Sequence, residues 1–231
     1  MIADYTKIQK LFSIFVCMTI STPLIVLNTT KVGDSSLVVH ALSPTLGRRS
    51  YIIGVGKKGG HALFQPLNIL NAEAVENPKS DLWRLKGISS AQPLSGIRAN
   101  MYKNSMTLFM AEVLFRTVRG DAEPGLYEWC ERSILTLDAL QSDFANYHLR
   151  WLLELCGALG FTPSPEDLAP FAGEHLRDIQ GLMGPFEESL LVPLSGQSRS
   201  EIADCLLQYL SAHLETRLNI RSLGVLSELY R

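Results

Sequence analysis

Six cations in the first half of the chain have the spacing of a phosphate-binding surface. Arg48 and Arg49 open the run Arg49-Ser50-Tyr51-Ile52-Ile53-Gly54-Val55, just after the turn Ser43-Pro44-Thr45-Leu46-Gly47. Lys57 and Lys58 stand in the loop that follows, Lys57-Lys58-Gly59-Gly60. In Leu82-Trp83-Arg84-Leu85-Lys86 the two-residue period of a strand puts Arg84 and Lys86 on one face and Trp83 and Leu85 on the other. Cations along a strand face and in an adjoining loop can track a nucleic-acid backbone. The same residues also suit a plain solvated surface, and charge by itself leaves both readings open. Tyr51 and Trp83 could stack on bases, but core packing is the expectation for each.

Bond-making chemistry finds little support. The five histidines, His40, His61, His148, His175 and His213, lack the close helical spacing of a zinc-protease motif, and no phosphate-binding loop ending in Lys-Ser/Thr is present. Glu174 and His175 are adjacent, which points them in different directions on a helix, so solvated residues are expected there. His148 falls on an apolar helical face, as a core histidine. Gly54-x-Gly56-x-x-Gly59 matches a dinucleotide fingerprint superficially, but no helix or βαβ unit follows it. Metal-dependent cleavage would need clustered carboxylates. The first part of the chain offers only Asp34, Glu73, Glu76 and Asp81, in no recognisable pattern. Cys17, Cys130, Cys156 and Cys205 are far apart, which argues against a four-cysteine metal site and for reduced thiols in a cytoplasm. No catalytic residue, metal or cofactor is expected.

The elements that must position these cations are short and β-rich. Leu24-Ile25-Val26-Leu27, Leu37 to Leu42, Arg49 to Val55, Leu63 to Ala74 and Leu82 to Ile88 predict five strands, separated by turns such as Val32-Gly33-Asp34-Ser35. Such a set suits a small barrel. From Asn100 the period becomes helical. Met101, Ser105, Leu108, Phe109, Glu112 and Phe115 share a face that only Ser105 and Glu112 interrupt. Further helices are predicted over Leu126 to Leu140, from Phe144 to Leu159, from Ser164-Pro165, from Ser198 through Ala212, and over Ile220 to Tyr230. Gly181 to Gly196 reads as a loop. The expected fold is therefore α+β and multi-domain. A barrel occupies residues 23–98, an all-α domain residues 99–231, and residues 1–22 form an extension set aside from the fold.

Charge follows that division. Leu24 to Arg98 carry nine Lys/Arg against four acids, a balance of +5. Ala99 to Arg231 carry ten against eighteen, a balance of −8, so a formal net charge of −2 hides a basic front and an acidic back. This asymmetry points to polyanion contact by the front alone. The extension combines Lys7 and Lys10 with the apolar run Leu11 to Ile20, like a signal peptide, but it is too short to span a bilayer. Translation starting at Met18 is the preferred alternative.

Several segments together resemble the RecO family of bacterial recombination mediators, especially its Bacteroidetes branch. They are Val32-Gly33-Asp34-Ser35-Ser36-Leu37, Leu46-Gly47-Arg48-Arg49-Ser50-Tyr51, Leu63-Phe64-Gln65-Pro66-Leu67 and Leu108 to Arg116. Ala145-Asn146-Tyr147-His148-Leu149, Leu159-Gly160-Phe161-Thr162-Pro163 and Arg221-Ser222-Leu223 complete the set. Their order and spacing run from about Leu24 to Arg231. Family members usually begin shortly before the segment matching Leu24 to Leu27, in keeping with a start at Met18.

The resemblance implies an N-terminal five-stranded OB-fold and a C-terminal helical domain. It also implies binding of single- and double-stranded DNA, annealing of complementary strands, and help in loading RecA onto DNA coated by single-strand-binding protein (SSB), usually with RecR. Many relatives carry a four-cysteine zinc motif soon after the segment matching Leu159 to Phe161. Thr162 to Glu174 hold no cysteine, so the metal-free form is expected. Arg48, Arg49, Lys57, Lys58, Arg84 and Lys86 are the expected DNA contacts. The acidic, apolar-ended tail of SSB would need an apolar groove with arginines, and Arg116, Arg119, Arg132 and Arg150 are the candidates. An adaptor whose barrel binds protein rather than DNA is the alternative.

Overall fold

The computed structural model describes residues 18–54 and 61–229. Strands β1 (Thr19–Val32), β2 (Ser36–Ser43), β3 (Gly47–Gly54), β4 (Ile69–Val75) and β5 (Trp83–Ser90) close into a barrel in the order β1-β2-β3-β5-β4. Every neighbouring pair is antiparallel except β3 and β5, which pair in parallel through Tyr51–Trp83 and Ile52–Arg84. Leu24, Val26, Val39, Ala41, Tyr51, Leu70, Ala74 and Trp83 fill the interior. Ile25 and Leu27 point the other way, into the core of the helices. The unbroken apolar run Leu24 to Leu27 thus reflects a strand buried on both faces.

β1 is longer than the predicted run. Thr19–Thr22 pair with Ala72–Val75 of β4, so four residues of the excluded extension belong to the barrel. The signal-like segment 1–17, with Lys7 and Lys10, lies outside the described residues. The strand predicted over Leu63 to Ala74 splits into a 3-10 turn, His61–Phe64, and β4. Pro66 and Leu67 break it: Leu67 has a φ of 59°, a left-handed conformation foreign to a strand. The Asn68 side chain then donates to the carbonyls of Ala62 and Leu63, both at 3.0 Å.

The helices are α1 (Ser95–Arg98), α2 (Met101–Thr117), α3 (Leu126–Ala139), α4 (Tyr147–Ala158), α5 (Pro165–Ala172), α6 (Leu176–Leu182), α7 (Phe186–Leu190), α8 (Gly196–His213) and α9 (Ser222–Leu229). Phe109, Trp151, Leu155, Leu206 and Leu210 lie at the centre of their packing. Leu94 and Ile97 already belong to this core, so the chain enters the helical part before residue 98. α5 opens as its sequence predicts. Ser164 caps it, Asp167 closes a reciprocal capping box, and Pro165 stands in the first turn. α8 starts one turn earlier than expected, because the Ser195 side chain accepts from the Ser198 N–H at 3.0 Å. The stretch read as a loop contains α7, which begins directly after Pro185 and packs Phe186 edge-on against Tyr147.

Barrel and helices meet tightly at Gly47. Its φ is +61°, and a Cβ there would lie 2.5 Å from the Gly120 carbonyl oxygen, so only glycine fits on both counts. The next residue, Arg48, donates its backbone N–H to that same carbonyl at 3.1 Å.

Candidate nucleic-acid interface and partner groove

β5 is half-buried by alternation, as its sequence predicts. Trp83 and Leu85 are buried, while Arg84 and Lys86 are exposed. Parallel pairing makes β5 run toward Lys86 as β3 runs toward Gly54. The two exposed cations therefore lead to the barrel end where β3 finishes. Lys57 and Lys58 follow β3 in the sequence and lie outside the described residues. Lys31, also exposed, reaches the same end, because Ser36 pairs with both Val32 and Gly54. Glu73 stands opposite Lys86 in the register and moderates the patch. Just beyond, Gly87 takes a φ of +57° where the β4–β5 register shifts, which turns the strand at the edge of the cationic face.

Arg48 and Arg49 lie elsewhere. Arg48 is six residues before Gly54 along β3, which corresponds to roughly 20 Å of strand. Adjacent strand residues face opposite ways, and the two arginines diverge accordingly. Arg48 points out toward α2. Its Nη1 donates to the Phe115 carbonyl at 2.6 Å, and the guanidinium lies 5.0 Å from the Phe115 ring centroid. Burial, then the nearby Arg119, lowers its pKa. His40 shares this junction. Its Nδ1 is 2.8 Å from Ser50 Oγ, its ring is 5.0 Å from that of Phe115, and burial followed by Arg48 lowers its pKa. Arg49 shares the inward face with Tyr51, and its guanidinium lies 5.1 Å from the Trp83 ring centroid. It lines a cleft of about 530 Å3 at the barrel mouth, together with Glu76, Lys79 and Asp81. Tyr51 and Trp83 pack in the core, as expected for each: Tyr51 is 0 % and Trp83 5 % exposed.

The four partner arginines are also divided. Arg116 is exposed beside a groove of about 480 Å3 between the barrel, α2 and α9. Leu27, Leu108, Ala111, Phe115 and Val225 make its walls apolar, and Arg221 stands on the α9 side. Leu108 and Val225 are 40 % and 51 % exposed. Within the groove, Glu112 accepts from the Ser222 backbone N–H at 2.9 Å and from its hydroxyl at 2.6 Å. Burial opposes the charge on Glu112, but these bonds, the Arg221 backbone and Arg116 hold its pKa below the usual carboxylate value. The lone carboxylate on the apolar stripe of α2 thus fastens the start of α9. Arg119 is exposed at the end of α2, where Nη2 reaches Thr216 Oγ1 at 3.5 Å. Arg132 lines a separate cleft with Trp129, Tyr147 and Phe186. Arg150 is engaged in the fold. Its Nη1 donates to the carbonyls of Leu182 at 3.0 Å and Gly184 at 2.6 Å, and its Nε donates to Glu154 at 2.7 Å. It satisfies carbonyls at the end of α6. Arg221 was not among the predicted residues, because its surroundings are assembled from segments about a hundred positions apart.

The cysteines among the described residues sit on three different helices. Burial pushes the Cys130 thiol up and the Cys156 thiol up to about 12, so neither is a ready thiolate ligand. Among the described residues, no helix is long and apolar enough to cross a membrane.

The family model described as "Recombination protein O N terminal" matches residues 18–94, the span of the barrel and its exit. Similarity continues through the helices. The DNA repair protein RecO of Bacteroides fragilis is 32 % identical, covering 89 % of this chain and 97 % of the relative. That of Phocaeicola vulgatus is 30 % identical with the same coverage. That of Flavobacterium johnsoniae is 30 % identical over 92 % of this chain and its own full length. With a closed five-stranded OB barrel followed by packed helices and this similarity along nearly the whole chain, the protein belongs to the RecO family.

Proposed function

We propose that this protein is a non-catalytic mediator of DNA repair and homologous recombination. It binds single- and double-stranded DNA, anneals complementary strands, and helps load RecA onto SSB-coated DNA together with RecR, in the cytoplasm. The observation that carries this reading is the similarity along nearly the whole chain to DNA repair proteins. The charge layout supports it: Arg84 and Lys86 are exposed on β5, and the −8 balance lies in the helical part. Annealing needs two polyanions held close, and cations at one end of a barrel offset their repulsion. An acidic helical part disfavours DNA elsewhere. The groove flanked by Arg116 and Arg221 supports SSB docking, since an acidic tail with an apolar end needs both features.

The test is annealing of SSB-coated complementary strands by the purified protein across a salt series. DNA affinity falls on a logarithmic scale by about 0.7–0.9 per phosphate contact for each log unit of salt. Capture by SSB without measurable affinity for oligonucleotides would instead identify a protein adaptor.

A further inference from the structure

A third group of polar side chains converges away from both surfaces, where the 3-10 turn Gly173–His175 meets α8. His175 is 9 % exposed. Its Nδ1 lies 3.3 Å from Asp178 Oδ2, and its Nε2 lies 2.8 Å from Glu201 Oε2. The other oxygen of Glu201 accepts from Gln197 Nε2 at 2.8 Å. The Glu174 carboxylate completes the group. One ligand atom each from Glu174, His175 and Glu201 lie within 4.8 Å of one another.

A neutral imidazole has one N–H and one lone pair. Here both ring nitrogens face carboxylate oxygens, so a neutral ring would set its lone pair against an anion. Only a positive centre on that line, a second proton or a cation, makes the arrangement favourable. Asp178 stands at Nδ1, where carboxylates orient metal-bound imidazoles. That leaves Nε2 facing Glu201, with a Glu174 carboxylate oxygen in the same group. One imidazole nitrogen and two carboxylates suit a divalent transition metal. Zinc accepts these ligands at about 2.0–2.2 Å and fills its fourth position with water. The three side chains come from a turn and from a helix 26 residues further on.

We propose that Glu174, His175 and Glu201 bind a divalent transition metal ion, zinc in particular, which ties the Gly173–His175 turn to α8. The ion takes the place of the Nε2 proton, which leaves to solvent. This site shares no residue with a four-cysteine motif and does not depend on the DNA reading.

The test uses the full-length protein, stripped with a chelator and titrated with zinc chloride against a chromophoric competitor. Cobalt(II) absorption then reports the ligand field. Wild type takes up one equivalent and its thermal midpoint rises, since an ion that binds only the folded state stabilises it. Glu174→Gln and Glu201→Gln lose affinity by tenfold or more and lose the thermal shift. Glu174 is exposed, so its variant keeps the fold, which circular dichroism checks. Asp178→Asn, changing a positioning residue, weakens binding by about 10–100-fold. Cys205 lies one helical turn beyond Glu201, and Cys205→Ser retains the ion. No uptake in a large excess of zinc, uptake unchanged in both glutamate variants, or loss only with Cys205→Ser overturns the site.

Discussion

The Arg48 guanidinium donates to the main-chain carbonyl of Phe115 at 2.6 Å while lying 5.0 Å from the ring of the same residue. This one side chain joins β3 to the end of α2, beside the contact between Gly47 and Gly120. Arg48→Ala removes a charged hydrogen bond and a cation–π contact, and is expected to lower unfolding free energy by about 2–3 kcal/mol. Arg84→Ala, on the open face, should change it by less than about 0.5 kcal/mol. Urea unfolding of the two variants measures the difference. Equal stability in both would contradict the junction role.

The proposed DNA binding is tested at the exposed cations of β5 and at the two lysines that follow β3. Reversing Arg84 and Lys86 together to Glu should weaken oligonucleotide binding and flatten its salt dependence. The slope should drop by roughly 1.4–1.8, the share of two phosphate contacts. Lys57→Glu with Lys58→Glu should act in the same direction, with the fold intact. Normal annealing by both double variants would show that DNA takes another path.

The apolar groove makes a separate prediction. A peptide with acidic residues and an apolar end should bind wild type and lose about tenfold in affinity with Arg116→Glu or Arg221→Glu, equivalent to about 1.4 kcal/mol. Leu108→Asp should abolish binding by placing a charge against the apolar end. Arg132→Glu lies in another cleft and should leave affinity unchanged. Fluorescence anisotropy with the SSB tail reads all four, and a loss confined to Arg132→Glu would move the site to that cleft.

His148 makes stability depend on pH. It is 2 % exposed, and burial, then Arg199, depresses its pKa to about 3. The unfolded chain binds the proton near pH 6.5 and the folded chain does not. Its contribution is therefore complete above the unfolded value and declines as pH falls from about 6.5 toward 3, by at most about 1.4 kcal/mol per unit. Replacing it with Phe should flatten the urea midpoint between about pH 6 and pH 4. An unchanged slope would assign the acid sensitivity to other groups.

Much of the architecture is legible in the residues because it is local. The two-residue period of Trp83 to Lys86 separates buried from exposed side chains as the barrel does. Ser164-Pro165 with Asp167 marks a helix start that the chain uses. Positive φ at Leu67 and the cap at Ser195 depend on contacts that no local pattern announces, so the ends of β4 and α8 moved. α7 is a helix of only five residues, too short to leave a period in the sequence.

By itself, the sequence determined that a strand-rich barrel precedes a helical part, and on which half the positive charge lies. Those properties follow from periodicity and composition. Tertiary structure alone decided which cations are open to a ligand. Arg48 and Arg49 are neighbours with the same charge, yet strand geometry sends one against Phe115 and the other toward the barrel mouth. Arg84 and Lys86 stay exposed because none of the described helices covers their face. Likewise, Arg116 and Arg221 become a pair only because Glu112 fastens the start of α9 against α2, a hydrogen bond between residues 110 positions apart.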